Sequence, residues 1–520
     1  MRRFFLCAMS LMLLAVLMQF GRTVFASADS KNNVETVKPV ESDQVIRSGP
    51  ESWRNVLAEA QEKGLIPGAL LLVKGPAWGT CVVTVGAADL SDGQPMSIDS
   101  SYRVGPVTKA MVSVALLQME TEWKVRIDQT LGELLGDGIV PHSDRVTLRD
   151  CLFEKSGTYN YRDLPEFSSN EVNRAWLPDV IVARAVEAGR TARVRNLGDF
   201  FPSDTDYILA GMIAEKIDNK SLAEILQNRV ISKAGLSATY FDAGSDVPQG
   251  MIRGYTGCRH GSVPRERTFR DPSADWAAGA VVSTPRDVLK FMETLFSTRS
   301  LLSEHANAWL FKYITDWDGT TETARGAGVM ERTSIRGTFR GMEGSIPGYY
   351  TCAGYYLHGD TYILLFINTS DHPLLAKHLY DSLLRQISGA PNRMEPKQDA
   401  SVNGPDVTLS WAAGLLYGKK YHVYCGSDEK AVSAATFASH DGVQLFVEGE
   451  DTYQRQVKGL VLGKSYFWRV DTFRIRPSHE MDNLRKQKAT IYRKDPEVHD
   501  SLVAEEEIIT GPIFHFVVGK

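Results

Sequence analysis

Two stretches of the sequence put a lysine where it could act on a hydroxyl. Ser427-Asp428-Glu429-Lys430 spaces a serine and a lysine three residues apart. On a helix that spacing sets both side chains on one face, one turn apart, where the amine can take the hydroxyl's proton. This copy lies in a β-rich stretch with no apolar helix to hold it, so it is a chance match. Lys109 is different. It belongs to the run Pro106 to Glu122, in which Val107, Met111, Val112, Val114, Ala115, Leu116, Leu117 and Met119 leave almost no polar side. Such a helix is buried in the middle of a domain, and a lysine carried into it needs a carboxylate partner.

Other reactive residue types show no pattern. His142, His260 and His305 lack metal-ligand spacing. Beyond Cys7 the chain has Cys81, Cys151, Cys258, Cys352 and Cys425, an odd number with no C-x-x-C pair. No metal and no cofactor is expected.

The elements that position Lys109 follow from periodicity. Trp53, Val56, Leu57 and Ala60 mark one face of a helix. Ala69 to Lys74 and Cys81 to Val85 form a hairpin around Gly75-Pro76 and Gly79. The stretch from about 128 to 275 is mostly helical with long loops. Ser283 or Thr284 caps a helix that has Pro285 at its first position. Strands at Tyr349–Leu357 and Tyr362–Asn368 precede a last helix from about Pro373 to Ile387. Strands at both ends and helices between predict one sheet built from the two ends, with a helical insertion.

The chain has 520 residues, too many for one core, and a net charge of −5, which argues against nucleic acid as a partner. Arg2-Arg3, the apolar run Phe4 to Phe20 and the small residues Ala26-Ser27-Ala28 predict an export signal over 1–28, hence a secreted or periplasmic chain. No later apolar run is long enough to span a membrane. A polar linker is expected over 29–50, a first domain over 51–388, a second linker over 389–404 and a β-sandwich over 405–520. The charged stretch at about 478 to 508 reads as a surface loop or short helix.

Six segments, in order, resemble the serine β-lactamase and penicillin-binding-protein family, nearest its class C and esterase-like branch. They are Ile66-Pro67-Gly68-Ala69 with Gly86-Ala87-Ala88-Asp89; Tyr102 to Lys109; Val146 to Leu152 leading to Ser156-Gly157; Asp206 to Gly211; Ala278-Gly279-Ala280 with Ser283-Thr284; and Gly344 with Pro347-Gly348-Tyr349. The resemblance implies an α/β (α+β) domain: an antiparallel sheet flanked by helices, with a helical subdomain. It also implies that residue 106 is the family's nucleophilic serine, with Lys109 as the lysine one turn on. Here residue 106 is Pro106, which has no hydroxyl and is tolerated in a helix's first turn. The family's Y-x-N aligns with Pro202-Ser203-Asp204, without a phenol. Its K/H-T-G aligns with Met342-Glu343-Gly344, where Glu343 would repel a substrate carboxylate.

The resemblance therefore implies a serine-hydrolase relative without ordinary family catalysis, binding a cell-envelope ligand or a protein partner. Lys109 is expected to pair with Asp204, Glu343 or both. Two alternatives stand beside it. One is an active esterase, β-lactamase or carboxypeptidase-like hydrolase with a relocated nucleophile, Ser203 before Thr108 or Ser345. The other is a structural cell-surface protein. The C-terminal part resembles a fibronectin type III module, with Trp411 as its core tryptophan and Leu460 and Tyr466 spaced like a tyrosine corner.

Overall fold

The computed structural model describes residues 46–518 except 169–173, 191–196, 243, 245–249, 313, 318–321, 335–336, 390–391, 396–399, 403, 413–419, 436–438, 441–442, 450–453, 476–505 and 510–513. The expected export signal lies outside these residues. So does most of the first linker, whose last part, Ile46–Ser48 (β1), forms an edge strand.

Nine strands form the main sheet. After β1 come β2 (Gly68–Gly75) and β3 (Gly79–Gly86), then, late in the chain, β4 (Ile314–Trp317), β5 (Glu322–Arg325), β6 (Met330–Ser334), β7 (Gly337–Ile346), β8 (Tyr349–Tyr356) and β9 (Thr361–Ile367). Their order is β1-β3-β2-β9-β8-β7-β6-β5-β4. The first hairpin joins the late strands through β2 and β9, with Ala69 opposite Ile367 and Lys74 opposite Tyr362. The two ends of the domain thus share one sheet, as the element order implied. Every pairing is antiparallel except the short edge of β1 on β3.

Both faces of the sheet are covered. One carries α1 (Glu51–Glu62) and α6 (Pro373–Gly389); Trp53, Leu57, Leu379 and Leu383 pack there on Val83, Tyr350, Cys352 and Leu365. The other carries the helical insertion, with α2 (Val107–Thr121), α3 (Pro178–Gly189) and α4 (Asp204–Asp218). Twelve of the fifteen residues of α2 are buried, so the helix is apolar all round because it is enclosed all round. At about 1.5–3 kcal/mol per large apolar side chain, α2 anchors this half of the core. The helix α5 (Pro285–Phe296) starts as its sequence dictates: the Thr284 hydroxyl accepts from Asp287 N, and Pro285 holds the first position.

The segment 389–404 is more than a linker. Asn392–Glu395 (β10) and Ala400–Val402 (β11) pair with later strands, because extended backbone beside an open sheet edge satisfies its N–H and C=O groups there. The strands Val407–Ala412 (β12), Lys420–Gly426 (β13), Gln444–Gly449 (β14), Gln454–Val457 (β15), Ser465–Ile475 (β16), Glu506–Ile509 (β17) and Phe514–Val518 (β18) complete two further sheets. Their orders are β10-β12-β15 and β11-β18-β16-β13-β14, with β17 on β16. Leu409, Tyr421, Val423, Trp468, Val470 and Phe516 form their core. The Tyr466 hydroxyl accepts from Val461 N at 2.9 Å. The Trp411 side chain lies outside the described residues, as does most of the charged stretch 478–508, whose end is β17.

Candidate active site

The N-terminus of α2 faces strand β7. Pro106 caps the helix with φ −64° and ψ −11°, and no side-chain hydrogen bond is made there. Lys109 follows one turn on. Its ammonium donates to Glu154 Oε1 at 2.6 Å and pairs with Asp204 Oδ1 at 2.7 Å. It also stands 5.1 Å from the ring centroid of Tyr207. Burial alone would lower the lysine's pKa; the carboxylates of Asp204 and Glu154 more than reverse this and raise it above its ordinary value. The ammonium is therefore a fixed cation at neutral pH, not a base.

The pairing continues beyond Lys109. Arg162 Nε donates to Asp204 Oδ2 at 2.8 Å, and its Nη2 bonds Asp275. Arg270 Nη1 donates to Asp275 Oδ2 at 2.7 Å. Six groups alternate in sign: Glu154, Lys109, Asp204, Arg162, Asp275, Arg270. Burial opposes ionisation of Asp275, but the charges of Arg270 and Arg162 prevail and hold its pKa at about 2. Asp204 is likewise held below its usual value, against burial, by Lys109 and Arg162. Asp206, next along α4, has no such cation. Its carboxyl is wholly buried and bonded to Ser156, and desolvation pushes its pKa well up.

Of the two acids expected as partners of Lys109, one is in place. Asp204 pairs with it, and Glu343 does not. Residues of a strand alternate between faces. On β7, Met342 and Ile346 pack on the α2 side. Glu343 sits between them and points to the α6 side, where Arg332 bonds it and the Tyr350 hydroxyl donates to it at 2.9 Å. Arg332 also reaches Asp381 of α6, at 3.3 Å. Glu343 therefore does not project its charge at the α2 side.

Lys109's second carboxylate, Glu154, gave no sign in the sequence. It lies 45 residues away and reaches Lys109 from a left-handed backbone conformation, φ 55°, rare outside glycine. Tyr207 was quoted only as part of a helix motif. Its hydroxyl donates to Leu152 O at 2.8 Å and lies 3.2 Å from Ser113 Oγ.

Among the described residues neither Ser203 nor Thr108 has a base as its hydrogen-bond partner. Ser203 is buried and donates to Thr158 O at 3.3 Å. Thr108 Oγ1 accepts from Val281 N at 3.1 Å. Ser345 is exposed on β7. Pro202 is exposed beside Ser203. Among the described residues no group of three or more His, Cys, Asp or Glu side chains could hold a metal ion.

The space left is small. The turn at 326–329, closed by Gly326 N donating to Val329 O at 2.8 Å, lies on the start of α2. Gly328, at φ 73°, comes so close that an added Cβ would stand 2.8 Å from the carbonyl of Lys109. Beside Pro106, Lys109, Glu154 and Tyr207 a cavity of about 60 Å³ remains. A larger pocket of about 320 Å³ adjoins β7, lined by Arg325, Arg332, Lys377, Ser345 and Tyr350, with Glu343. Arg332 is spent on Glu343 and Asp381. Arg325 and Lys377 have no carboxylate within salt-bridge distance among the described residues.

The chain belongs to the beta-lactamase family, whose model matches residues 53–385. It is 22% identical over 279 residues to PbpX of Bacillus subtilis (strain 168), whose name assigns it to the penicillin-binding proteins; the match covers 54% of this chain. The chain spans 64% of the length of the curated relatives it matches. A D-amino acid amidase from Ochrobactrum anthropi SV3, solved with L-phenylalanine amide, is 23% identical, with a TM-score of 0.57 over 64% of this chain and 96% of its own. An octameric penicillin-binding protein homologue from Pyrococcus abyssi is 17% identical, with a TM-score of 0.56 over 82% of this chain and 96% of its own. At these identities the likeness to the solved structures is one of fold. The α/β fold expected from the sequence is thereby established, with the C-terminal sheets in addition.

Proposed function

We propose that this chain is an exported, non-catalytic member of the beta-lactamase family that binds a small carboxylate-bearing ligand of the cell envelope. One observation carries the reading. Lys109 is held between Glu154 and Asp204, and the motif resemblance puts Pro106 where the family has its nucleophile. A proline cannot form an acyl-enzyme, and a doubly paired ammonium cannot take a proton.

The pocket along β7 supports the ligand class. Arg325 and Lys377 bring positive charge that no carboxylate of the described residues neutralises, and Ser345 and Tyr350 bring hydroxyls. Its volume suits a molecule of amino-acid or dipeptide size. The amidase solved with phenylalanine amide and the penicillin-binding protein names among the relatives favour an amino-acid-derived ligand. We read the C-terminal sheets as a fibronectin type III-like module; the Tyr466 hydroxyl on Val461 N is the contact that favours this.

Incubation of the purified protein with a fluorophosphonate and a fluorescent penicillin, followed by intact mass, tests the reading. No covalent adduct is expected with either. An adduct on any serine, mapped by peptide mass, would overturn it in favour of a relocated nucleophile.

A further inference from the structure

We propose that the hairpin at 253–270 docks the protein onto an anionic lipid surface. The stretch carries five arginines against one acid, Glu266, in a chain whose net charge is −5. Its short strands pair Thr256 with Arg265 and Tyr255 with Glu266. Further bonds fix the loop between and after them. Cys258 N donates to Asp371 at 2.7 Å, Ser262 N to Arg259 O at 3.0 Å, and Arg267 N to Gly254 O at 2.7 Å. The side chains that this backbone turns outward are thus presented by design of the loop.

Two kinds of side chain are exposed on this one stretch. Val263, at the tip, is 88% exposed, and Phe269 is 61% exposed. Arg259 and Arg265 are exposed and have no carboxylate within salt-bridge distance among the described residues. The nearby acids are already engaged. Glu266 and Asp89 face Arg253 at 3.6 and 3.4 Å, Asp371 holds Cys258 N, Asp275 holds Arg270, and Glu59 holds Lys63. Arg253 itself lies 4.8 Å from the centroid of the Phe269 ring.

A protein partner would need a contiguous patch of several hundred Å². Two separate protruding apolar side chains do not make one. A lipid interface accepts single apolar side chains among its headgroups, while arginines bind the phosphates bidentately and keep their stems in the apolar layer. Neither Pro106 nor Lys109 takes part, so this proposal stands or falls apart from the reading of the cleft.

The test is co-sedimentation with vesicles of phosphatidylglycerol and phosphatidylcholine, beside vesicles of phosphatidylcholine alone. The chain used starts at Asp29, because the apolar run Phe4–Phe20 would bind lipid by itself; the chain from Ile46 onward is a compact unit. Binding is expected to the anionic vesicles only and to fall in high salt. Arg259→Glu with Arg265→Glu should weaken it at least tenfold, and so should Val263→Asp, whereas Arg126→Glu should leave it unchanged. Thermal unfolding of each variant checks its fold. No anionic binding, or equal binding by all variants, overturns the proposal. Loss in the arginine variant without loss in Val263→Asp also overturns it, in favour of a soluble polyanion.

Discussion

The ring of Pro106 lies against the bare backbone of Gly344: a Cβ on that glycine would stand 3.1 Å from Pro106 Cγ. The start of helix α2 and strand β7 meet there with the proline ring against bare backbone. The proline is a packed member of the interface. Its missing N–H costs nothing, because the first N–H groups of a helix have no partner within it.

Restoring a hydroxyl should therefore not restore chemistry. Pro106→Ser is expected to react with a fluorophosphonate at least tenfold more slowly than Pro106→Ser combined with Glu154→Gln. Removing one of the two charges on Lys109 lets its pKa fall toward the range of a working base. Intact-mass labelling rates measure this. Equal rates would show that the pairing of Lys109 does not restrain it.

Lys109→Met should destabilise the protein by about 3–5 kcal/mol at pH 7, because Glu154 and Asp204 lose a cation in a largely buried site. Denaturant unfolding monitored by tryptophan fluorescence reads the loss.

Acid should weaken the natural protein through the same groups. Asp275 and Asp204 have pKa values depressed by folding, to about 2 for Asp275. Their contribution is present in full above the unfolded value of about 4 and is lost as pH falls toward about 2. Asp206 acts with the opposite sign. Its pKa is raised by burial, so it favours the folded state least at high pH. Asp206→Asn should raise the thermal midpoint at pH 8, and the gain should vanish near pH 4. A midpoint unchanged at pH 8 would mean that the buried carboxyl carries no such strain.

Gly328→Ala should cost about 1–3 kcal/mol by overpacking, since the new methyl would meet the Lys109 carbonyl, and its positive φ adds to this. The same substitution at Gly93, also at positive φ but with nothing within 4 Å, should cost less. Paired unfolding curves separate the steric part from the backbone part.

Much of the fold was legible because burial leaves a periodic trace. The unbroken apolar face of α2 announced an enclosed helix, and Thr284-Pro285 announced the start of α5. The site was legible only where one segment sufficed. Pro106 and Lys109 lie within one turn and could be read together. Glu154 reaches Lys109 through a left-handed turn far along the chain, and no spacing encodes that meeting. Glu343 was misjudged although its facing was encoded. Met342 and Ile346 are apolar four positions apart on a strand, so Glu343, one place from Met342, had to leave the α2 side.

The six alternating charges from Glu154 to Arg270 form a neutral series in which the interior members each answer to two neighbours. On the function proposed above, a lineage starting from this chain would not reach a lysine-activated serine by one substitution. The hydroxyl must arrive at 106 while an acid departs at 154 or 204, and removing the acid first unsettles a fold that gains nothing until the hydroxyl comes. On that reading the series would work as a ratchet against gain of the hydroxyl's chemistry.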